Sequence, residues 1–487
     1  VLLKLIKVKK KNQHTNKPIE KMDCNCGPGY PSPLLAMKGE KEKLIYFPCI
    51  QVEKEKPNYL ATADVNVESD TYSKIIHRTF LPDSEDELHH SGWNSCSSCY
   101  NNPNYKRNLL ILPSVNSGRV YAFDVATNPR APILKHVIQN DEMLKKAKLC
   151  YLHTTHCLAD GNIMISGMGD KDGNPQGSFA LVDGKSLKVV GNWEKVGDQV
   201  PFGYDFWYQP RHNVMVSSEW GSPNCFMAGF NPAHVAEGKY GHSLHFWKWK
   251  EHEYIKSIDL GADGQIPLEL RFMHNPDSSE GYVGCALSSN IFRIFLNDKN
   301  EWDAEKVIDV PSVKVEGWAL PEVPSLITDI LISLDDKYLY FSNWLQGDIR
   351  QYDITDSKNP KLVGQVFING SLAKDSFVKV LDENFKQPEP IFINNKRVEG
   401  GPQMIQLSLD GKRLYVSTSL ISVWDKQFYP NMMLSGSFVL QVDVDVLNGG
   451  LKLNENFFID CGLEPDGPVL AHEIRYPGGD CSSDIWL

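Results

Sequence analysis

Two adjacent imidazoles, His89 and His90, lie in the segment Asp-Glu-Leu-His-His-Ser-Gly-Trp at 86–93. Two more, His153 and His156, lie in Leu-His-Thr-Thr-His-Cys, and His472 stands beside Glu473 in the tail segment Ala-His-Glu-Ile-Arg-Tyr. Imidazole is a borderline-soft ligand that suits copper, zinc, iron and nickel, so three or four of these side chains brought together would make a transition-metal site. Each histidine taken alone is more often a hydrogen-bonded structural residue. The metal reading therefore depends on whether a loop, a strand and the tail meet.

Other residues offer less. Cys96-Ser-Ser-Cys99 has the spacing of a redox dithiol or of half a zinc site, but no second C-x-x-C completes a zinc set. It reads as a reduced pair near the channel mouth, close in sequence to His89 and His90, with a weak redox signal. Cys24-Asn-Cys26 is a thiol pair near the start of the chain. His212, His242, His245 and His252 fall in turn or outer-strand contexts and read as structural. No Gly-x-Ser-x-Gly, no phosphate-cradling glycine loop before a helix and no His-Glu-x-x-His is present, which disfavours hydrolase, kinase and metalloprotease chemistry.

The elements that must position the histidines are short β-strands. Leu109 to Ser114, Arg119 to Val125 and Ile133 to Ile138 form one meander, and Ile327 to Leu334, Tyr338 to Ser342, Ile349 to Ile354 and Leu362 to Ile368 form another. A further copy runs through Gln403 to Leu409, Arg413 to Thr418 and Phe438 to Val444. Ser-Leu-Asp-Asp-Lys at Ser333 and Ser-Leu-Asp-Gly-Lys at Ser408 mark the same turn of successive repeats. The pattern predicts an all-β, single-domain, seven-bladed β-propeller over 23–487, with eight blades as the competing count. Blade starts fall near Leu44, Asn108, His153, Tyr204, Leu268, Ile327 and Gln403, with insertions at about 224–240 and 370–397 and a disordered leader at 1–22. In a propeller the first strand of each blade lines the channel, which selects His153, His156, Asp205, Glu269, Arg271, His274, Asp329, Gln403 and Gln406. The channel mouth is then where the loop and tail histidines join them.

With 50 Lys+Arg against 61 Asp+Glu the chain carries a formal charge of −11, which argues against a protein that wraps a phosphate backbone. No run approaches the ~20 apolar residues that span a bilayer, so membrane association is at most peripheral. The apolar start precedes its lysines, the wrong order for a secretory signal. Eleven cysteines scattered over 487 residues fit reduced thiols better than a disulfide scaffold. The expectation is a cytosolic protein, with the nucleus and the membrane periphery as further locations.

Several long motifs resemble one family. Cys-Gly-Pro-Gly-Tyr from Cys26, the segment 86–93 with Cys96-Ser-Ser-Cys99, Gly203 to Asn213, Ile327 to Leu334, Phe341 to Trp344, Trp424 to Pro430 and Ala471 to Trp486 are similar to the selenium-binding protein/methanethiol oxidase family. The resemblance implies a seven-bladed propeller that uses copper to convert methanethiol, dioxygen and water to formaldehyde, hydrogen sulfide and hydrogen peroxide. The family's copper histidines match His89, His90, one of the pair His153 and His156, with His153 preferred, and His472. Glu473 and Asp329 are candidates for the general base by proximity alone. The family's mammalian members carry a selenium-linked cysteine where this chain has Ser73 in Tyr-Ser-Lys-Ile-Ile-His-Arg, so selenium attachment is not expected there; Cys24 or Cys26 could carry it instead. The alternative reading is a non-catalytic, selenium-binding scaffold whose faces bind proteins in intracellular transport or degradation.

Overall fold

The computed structural model describes residues 27–480 and 483–487. The leader at 1–22, Cys24 and Cys26 lie outside the described residues. Among the described residues, seven four-stranded antiparallel sheets hold most of the strands, with a small three-stranded and a small two-stranded sheet beside them. The strands that matter for the site are β1 (Leu44–Gln51), β2 (Gly92–Trp93), β3 (Cys150–Cys157), β4 (Phe206–Gln209), β5 (Pro267–Phe272), β6 (Ile327–Ile332), β7 (Ile405–Leu407) and β8 (Val469–Ala471).

Strands β2 to β8 each stand at one edge of a different four-stranded sheet. Sequence-adjacent sheets bring several of these edges side by side, as with β2 and β3, β4 and β5, β5 and β6, and β6 and β7. They are buried on both faces, whereas far-edge strands such as Ile133–Ile138 and Leu451–Asp460 are half-exposed. A recurring polar device ties one sheet to the next. Ser166 Oγ donates to Tyr204 O, Ser218 Oγ to Leu268 O and Ser342 Oγ to Gln403 O, each at 2.6 Å. Carboxylates do the same work from the first strands: Asp205 Oδ2 accepts from Leu270 N and Asp329 Oδ2 from Ile405 N, both at 2.9 Å. Each bond satisfies a buried backbone group that ladder pairing leaves open.

The two Ser-Leu-Asp-x-Lys segments do form equivalent turns. Ser333 Oγ donates to Asp335 Oδ1 and accepts from Tyr338 N; Ser408 Oγ donates to Asp410 Oδ1 and accepts from Arg413 N. The residue that must turn left-handed is Asp336 in one (φ 57) and Gly411 in the other (φ 73), types suited to that region.

Two starting points differ from the sequence reading. The second sheet begins at Gly92–Trp93, a two-residue strand, and the segment at Leu109 is its second member. Leu44 likewise begins a second strand, because the first strand of that sheet is β8 from the tail: Cys49 pairs with Ala471, Ile50 with Leu470 and Gln51 with Val469. The insertion at 224–240 carries the short helix Pro232–Ala236, and the one at 370–397 carries strand Lys379–Val380 and the hairpin Phe392–Ile393 with Lys396–Arg397. Helices Asn140–Ala147, Ser422–Phe428 and Pro430–Ser435 are additions to a chain whose sequence reads as almost free of helix.

Candidate metal centre

The loop that carries His89 and His90 is held at both ends. Upstream, the Glu87 carboxylate accepts from Ser422 N and Ser422 Oγ at 2.9 and 2.8 Å, and Glu87 O accepts from Val115 N. Downstream, Gly92 lies so close to β3 that a β-carbon there would sit 2.3 Å from Thr155 O. Only glycine allows that approach, and it sets the two imidazoles against the His153 face of β3. His472 follows β8 directly, its N–H donating to Pro48 O.

Four imidazoles meet as a result. His89 lies with ring centroids 3.7 Å from His472, 4.9 Å from His90 and 5.0 Å from His153, and His90 lies 3.9 Å from His153. Ligand nitrogens of His89, His90 and His153 fall within 4.8 Å of one another. All four rings are buried. Backbone carbonyls fix two of the tautomers: His89 Nε2 is 2.9 Å from Leu420 O and His472 Nδ1 is 2.9 Å from Ser419 O. A carbonyl only accepts, so these nitrogens carry the protons and leave His89 Nδ1 and His472 Nε2 as bare lone pairs. His89 Nδ1 faces His153 Nε2 at 3.0 Å, and His472 Nε2 has no hydrogen-bond partner among the described residues.

His90 sits between two carboxyl groups, Nε2 3.4 Å from Glu269 Oε1 and Nδ1 3.4 Å from Glu473 Oε1. Glu473 is anchored by Arg475 Nη2 at 2.7 Å and by Ser91 N and Oγ. Burial pushes its pKa up to about 7 against the pull of Arg475. Glu269 is raised well above the carboxylate range, again by burial. Burial lowers the histidines: His89 to about 3, and His90, His153 and His472 well below their ordinary value, with neighbouring imidazoles adding to the shift. The cluster is a set of neutral donors at pH 7.

The remaining sequence candidates fall elsewhere. His156 is packed edge-on against Phe206, Trp207 and Tyr208, and burial holds its pKa down to about 4. Strand β3 therefore supplies His153 to the cluster and keeps His156 in the aromatic packing beyond it. Asp329 is bound to Ile405 N and lies 3.8 Å from Arg271, with burial raising its pKa to about 7. Its recorded partners are the Arg271 network, whereas Glu473 touches His90 directly. Cys96 and Cys99 group with Cys157, four residues past His153 on β3. Ser98 Oγ lies 3.2 Å from Cys96 Sγ and 3.9 Å from the sulfurs of Cys99 and Cys157. Strand β2 stands between the pair and His89 and His90 along the chain. Ser73 adopts φ 60, and its hydroxyl donates to Phe458 O and accepts from Phe458 N at 2.9 and 2.7 Å.

Sequence reasoning missed the segment that fixes the tautomers. Ser419 and Leu420 precede helix Ser422–Phe428, and Asp425 in that helix accepts from Ser419 Oγ at 2.5 Å and from Leu420 N at 2.9 Å. Asp425 thus positions both carbonyls. Its only sequence signal is its place in the Trp424 to Pro430 motif.

An all-β chain of four-stranded antiparallel sheets, with neutral imidazoles from a loop, an inner strand and the tail gathered among buried carboxyl groups, belongs to the class of buried polyhistidine centres. The family model for the 56 kDa selenium binding protein matches residues 24–487, and the chain belongs to that family. It is 60% identical over 467 residues to the methanethiol oxidase of Xenopus tropicalis, covering 95% of this chain and 99% of that protein. It is 58% identical over 466 residues to selenium-binding protein 2 of Mus musculus, covering 95% and 98%. The crystal structure of a hypothetical selenium-binding protein from Sulfolobus tokodaii superposes with a TM-score of 0.84 at 36% identity, over 94% of this chain and 98% of that one.

Membership gives Ser73 a testable consequence. A serine hydroxyl bound on both sides to Phe458 offers no thiolate for a selenium bond. Incubation with labelled selenite followed by peptide mass spectrometry should leave the peptide containing Ser73 unlabelled. Recovery of selenium on that peptide would contradict this reading.

Proposed function

We propose that this protein is a copper-dependent methanethiol oxidase, converting methanethiol, dioxygen and water to formaldehyde, hydrogen sulfide and hydrogen peroxide at the His89, His90, His153 and His472 cluster. The single observation that carries the reading is the set of converging neutral imidazoles, with His472 Nε2 buried and without a hydrogen-bond partner among the described residues. A buried ring nitrogen without a hydrogen bond is costly unless something binds it. The identity of the relatives, 58–60% over 95% of this chain, supports the substrate.

We further read the seven four-stranded sheets as seven blades of one closed propeller, ring closure being supplied by the pairing of β8 with β1. A locked ring suits the site, because its ligands come from residues 89, 90, 153 and 472 and keep their spacing only if the two ends of the chain are tied. The eight described cysteines are all unpaired and buried, which supports the cytosolic location expected from the sequence.

Copper, when bound, supplies Lewis acidity toward the thiol and a route for electrons to dioxygen. The protein's own groups do the rest. Ser419 O and Leu420 O hold two imidazoles in the ligating tautomer. Glu473, with a pKa near neutrality and Oε1 beside His90, is placed to take up the thiol proton, a role for which Asp329 is less well placed. Buried Tyr204 packs against His153 with ring centroids 3.9 Å apart and planes tilted by 35°.

Copper-loaded protein given methanethiol should consume dioxygen and release hydrogen sulfide, hydrogen peroxide and formaldehyde together. A chelator should stop all four changes. Intact, copper-loaded protein that leaves methanethiol untouched would favour the non-catalytic scaffold.

A further inference from the structure

A small apolar cavity of about 10 Å³ shares two of its wall residues with the histidine site and has room for about one water-sized body. Its walls include Tyr204, Trp220, Leu268, Leu326, Leu420 and Trp424. Two of them belong to the site as well: Tyr204 packs against the His153 ring, and Leu420 offers its carbonyl to His89. Leu268 and Thr328, also on the wall, immediately precede Glu269 and Asp329 on β5 and β6. The cavity is therefore lined by residues of the same strands that carry Glu269 and Asp329.

Trp220 and Trp424 also line it. Trp220 stacks on Phe226 at 4.0 Å, and Trp424 Nε1 donates to Phe226 O at 2.9 Å, so both indoles are held in place. Thr328, a polar side chain of β6 on the wall, has its hydroxyl 3.1 Å from Ser342 Oγ. A water needs two to four polar partners and finds few here, so an apolar occupant is favoured.

We propose that this cavity receives the alkyl group of the thiol and is what restricts the substrate to methanethiol. The inference rests on the oxidase reading. A sulfur held at the imidazoles must place its carbon one bond away. On the other sides of the cluster lie Glu269, Glu473, Arg475 and Ser91, all polar. The wall formed by Tyr204 and Leu420 is where a methyl group meets apolar surface, and the space beyond accommodates one carbon and no second. Leu268, Leu326 and Ala286 are then specificity-determining residues, because their side chains set how deep the space is.

Two variants pull in opposite directions. Leu326→Ala should deepen the cavity and raise kcat/KM for 1-propanethiol relative to methanethiol at least ~10-fold, the discrimination a methylene or two is worth in an apolar pocket. Ala286→Val should fill it and lower kcat/KM for methanethiol about 10-fold, with copper content retained. Anaerobic titration of copper-loaded protein, followed by thiolate absorption, reads the same preference without turnover. The wild type should take methanethiol and exclude 1-propanethiol, and Leu326→Ala should take both. Thiol binding with this size limit but without oxidation would overturn the oxidase reading and leave the cavity assignment standing. Oxidation of methanethiol and 1-propanethiol at equal rates by the wild type would overturn the cavity assignment alone. A changed KM for dioxygen in either variant, with the thiol preference unmoved, would make the cavity an oxygen pocket and equally overturn it.

Discussion

The His90→Ala, His472→Ala double variant should fall from about one copper per chain to almost none while keeping its fold, the loss of two of four imidazoles removing the chelate on which affinity depends. The two positions are chosen because they are independent in structure. His90 is set by the loop before β2 and by Glu473, and His472 by β8 and Ser419 O. Both rings are neutral in the folded protein. Their removal therefore leaves no unpaired charge, and secondary structure by circular dichroism should match the wild type. Glu473→Gln, which keeps the shape beside His90 and removes the carboxylate, should cost only about 10–100-fold in affinity, as expected of an outer partner of a ligand. The depressed histidine pKa values give the pH dependence its sign. Protons compete for a nitrogen only as pH falls through its folded pKa, so copper content should hold constant from about pH 7.5 to about pH 5.5, where an exposed histidine set titrating near 6.5 would release it. Full copper retention by the double variant, measured by atomic absorption after dialysis, would place the metal elsewhere.

The parts of this site that were legible in the sequence are those written in side chains close together. The adjacent His89 and His90, and His472 after a short apolar run, are visible as types and as positions. The Ser333 and Ser408 turns were legible because each is closed by its own side chain within five residues. Strand β2 was not, since two residues carry no period-two signal, and the second sheet was consequently begun one strand late. Helix Asn140–Ala147 was missed for a similar reason: its buried stripe consists of Met143 and Ala147 alone. Ser419 O and Leu420 O could not have been found, because a backbone carbonyl has no signature in sequence. Which of His153 and His156 enters the cluster depends on the pleat of β3, whose pairing with the next strand shifts register between Leu152 and Thr155. A strict alternation counted from the sequence does not survive that irregularity. The grouping of Cys96 and Cys99 with Cys157 shows the same limit from the other side, since nearness along the chain was the only guide to their place.

Arg271→Met should destabilise the protein by about 3–5 kcal/mol above pH ~8 and by much less below pH ~6. Arg271 is buried on β5, with Nη1 2.7 Å from Asp205 Oδ2, Nη2 2.9 Å from Glu269 Oε2 and Nη2 3.8 Å from Asp329 Oδ1. Its guanidinium also lies 5.2 Å over the Trp207 ring. These three carboxyl groups come from β5, from β6 and from the residue just before β4, so one cation holds three sheets together at their inner strands. Burial raises Glu269 and Asp329, the latter to about 7, while Arg271 pulls both down. Without the arginine their folded pKa values climb further above the unfolded ones. A carboxyl whose folded pKa is raised contributes stability that is present below its unfolded pKa and is lost as pH rises through the folded pKa. Below its folded pKa of about 7 Asp329 holds its proton in both proteins and adds little to the deficit, and Glu269, raised by burial, moves in the same direction. As pH passes ~7 the wild type ionises Asp329 against a cation and the variant ionises it against nothing, and the deficit widens by up to about 1.4 kcal/mol per pH unit for each such group. Arg271→Lys retains the charge but reaches fewer oxygens, so its deficit should be smaller and nearly independent of pH. Denaturant titrations at about pH 6 and about pH 8.5 decide the matter: an Arg271→Met deficit that is equal at both would assign the loss to packing over Trp207 and would remove the buried ion network from the account of what holds the inner strands in place.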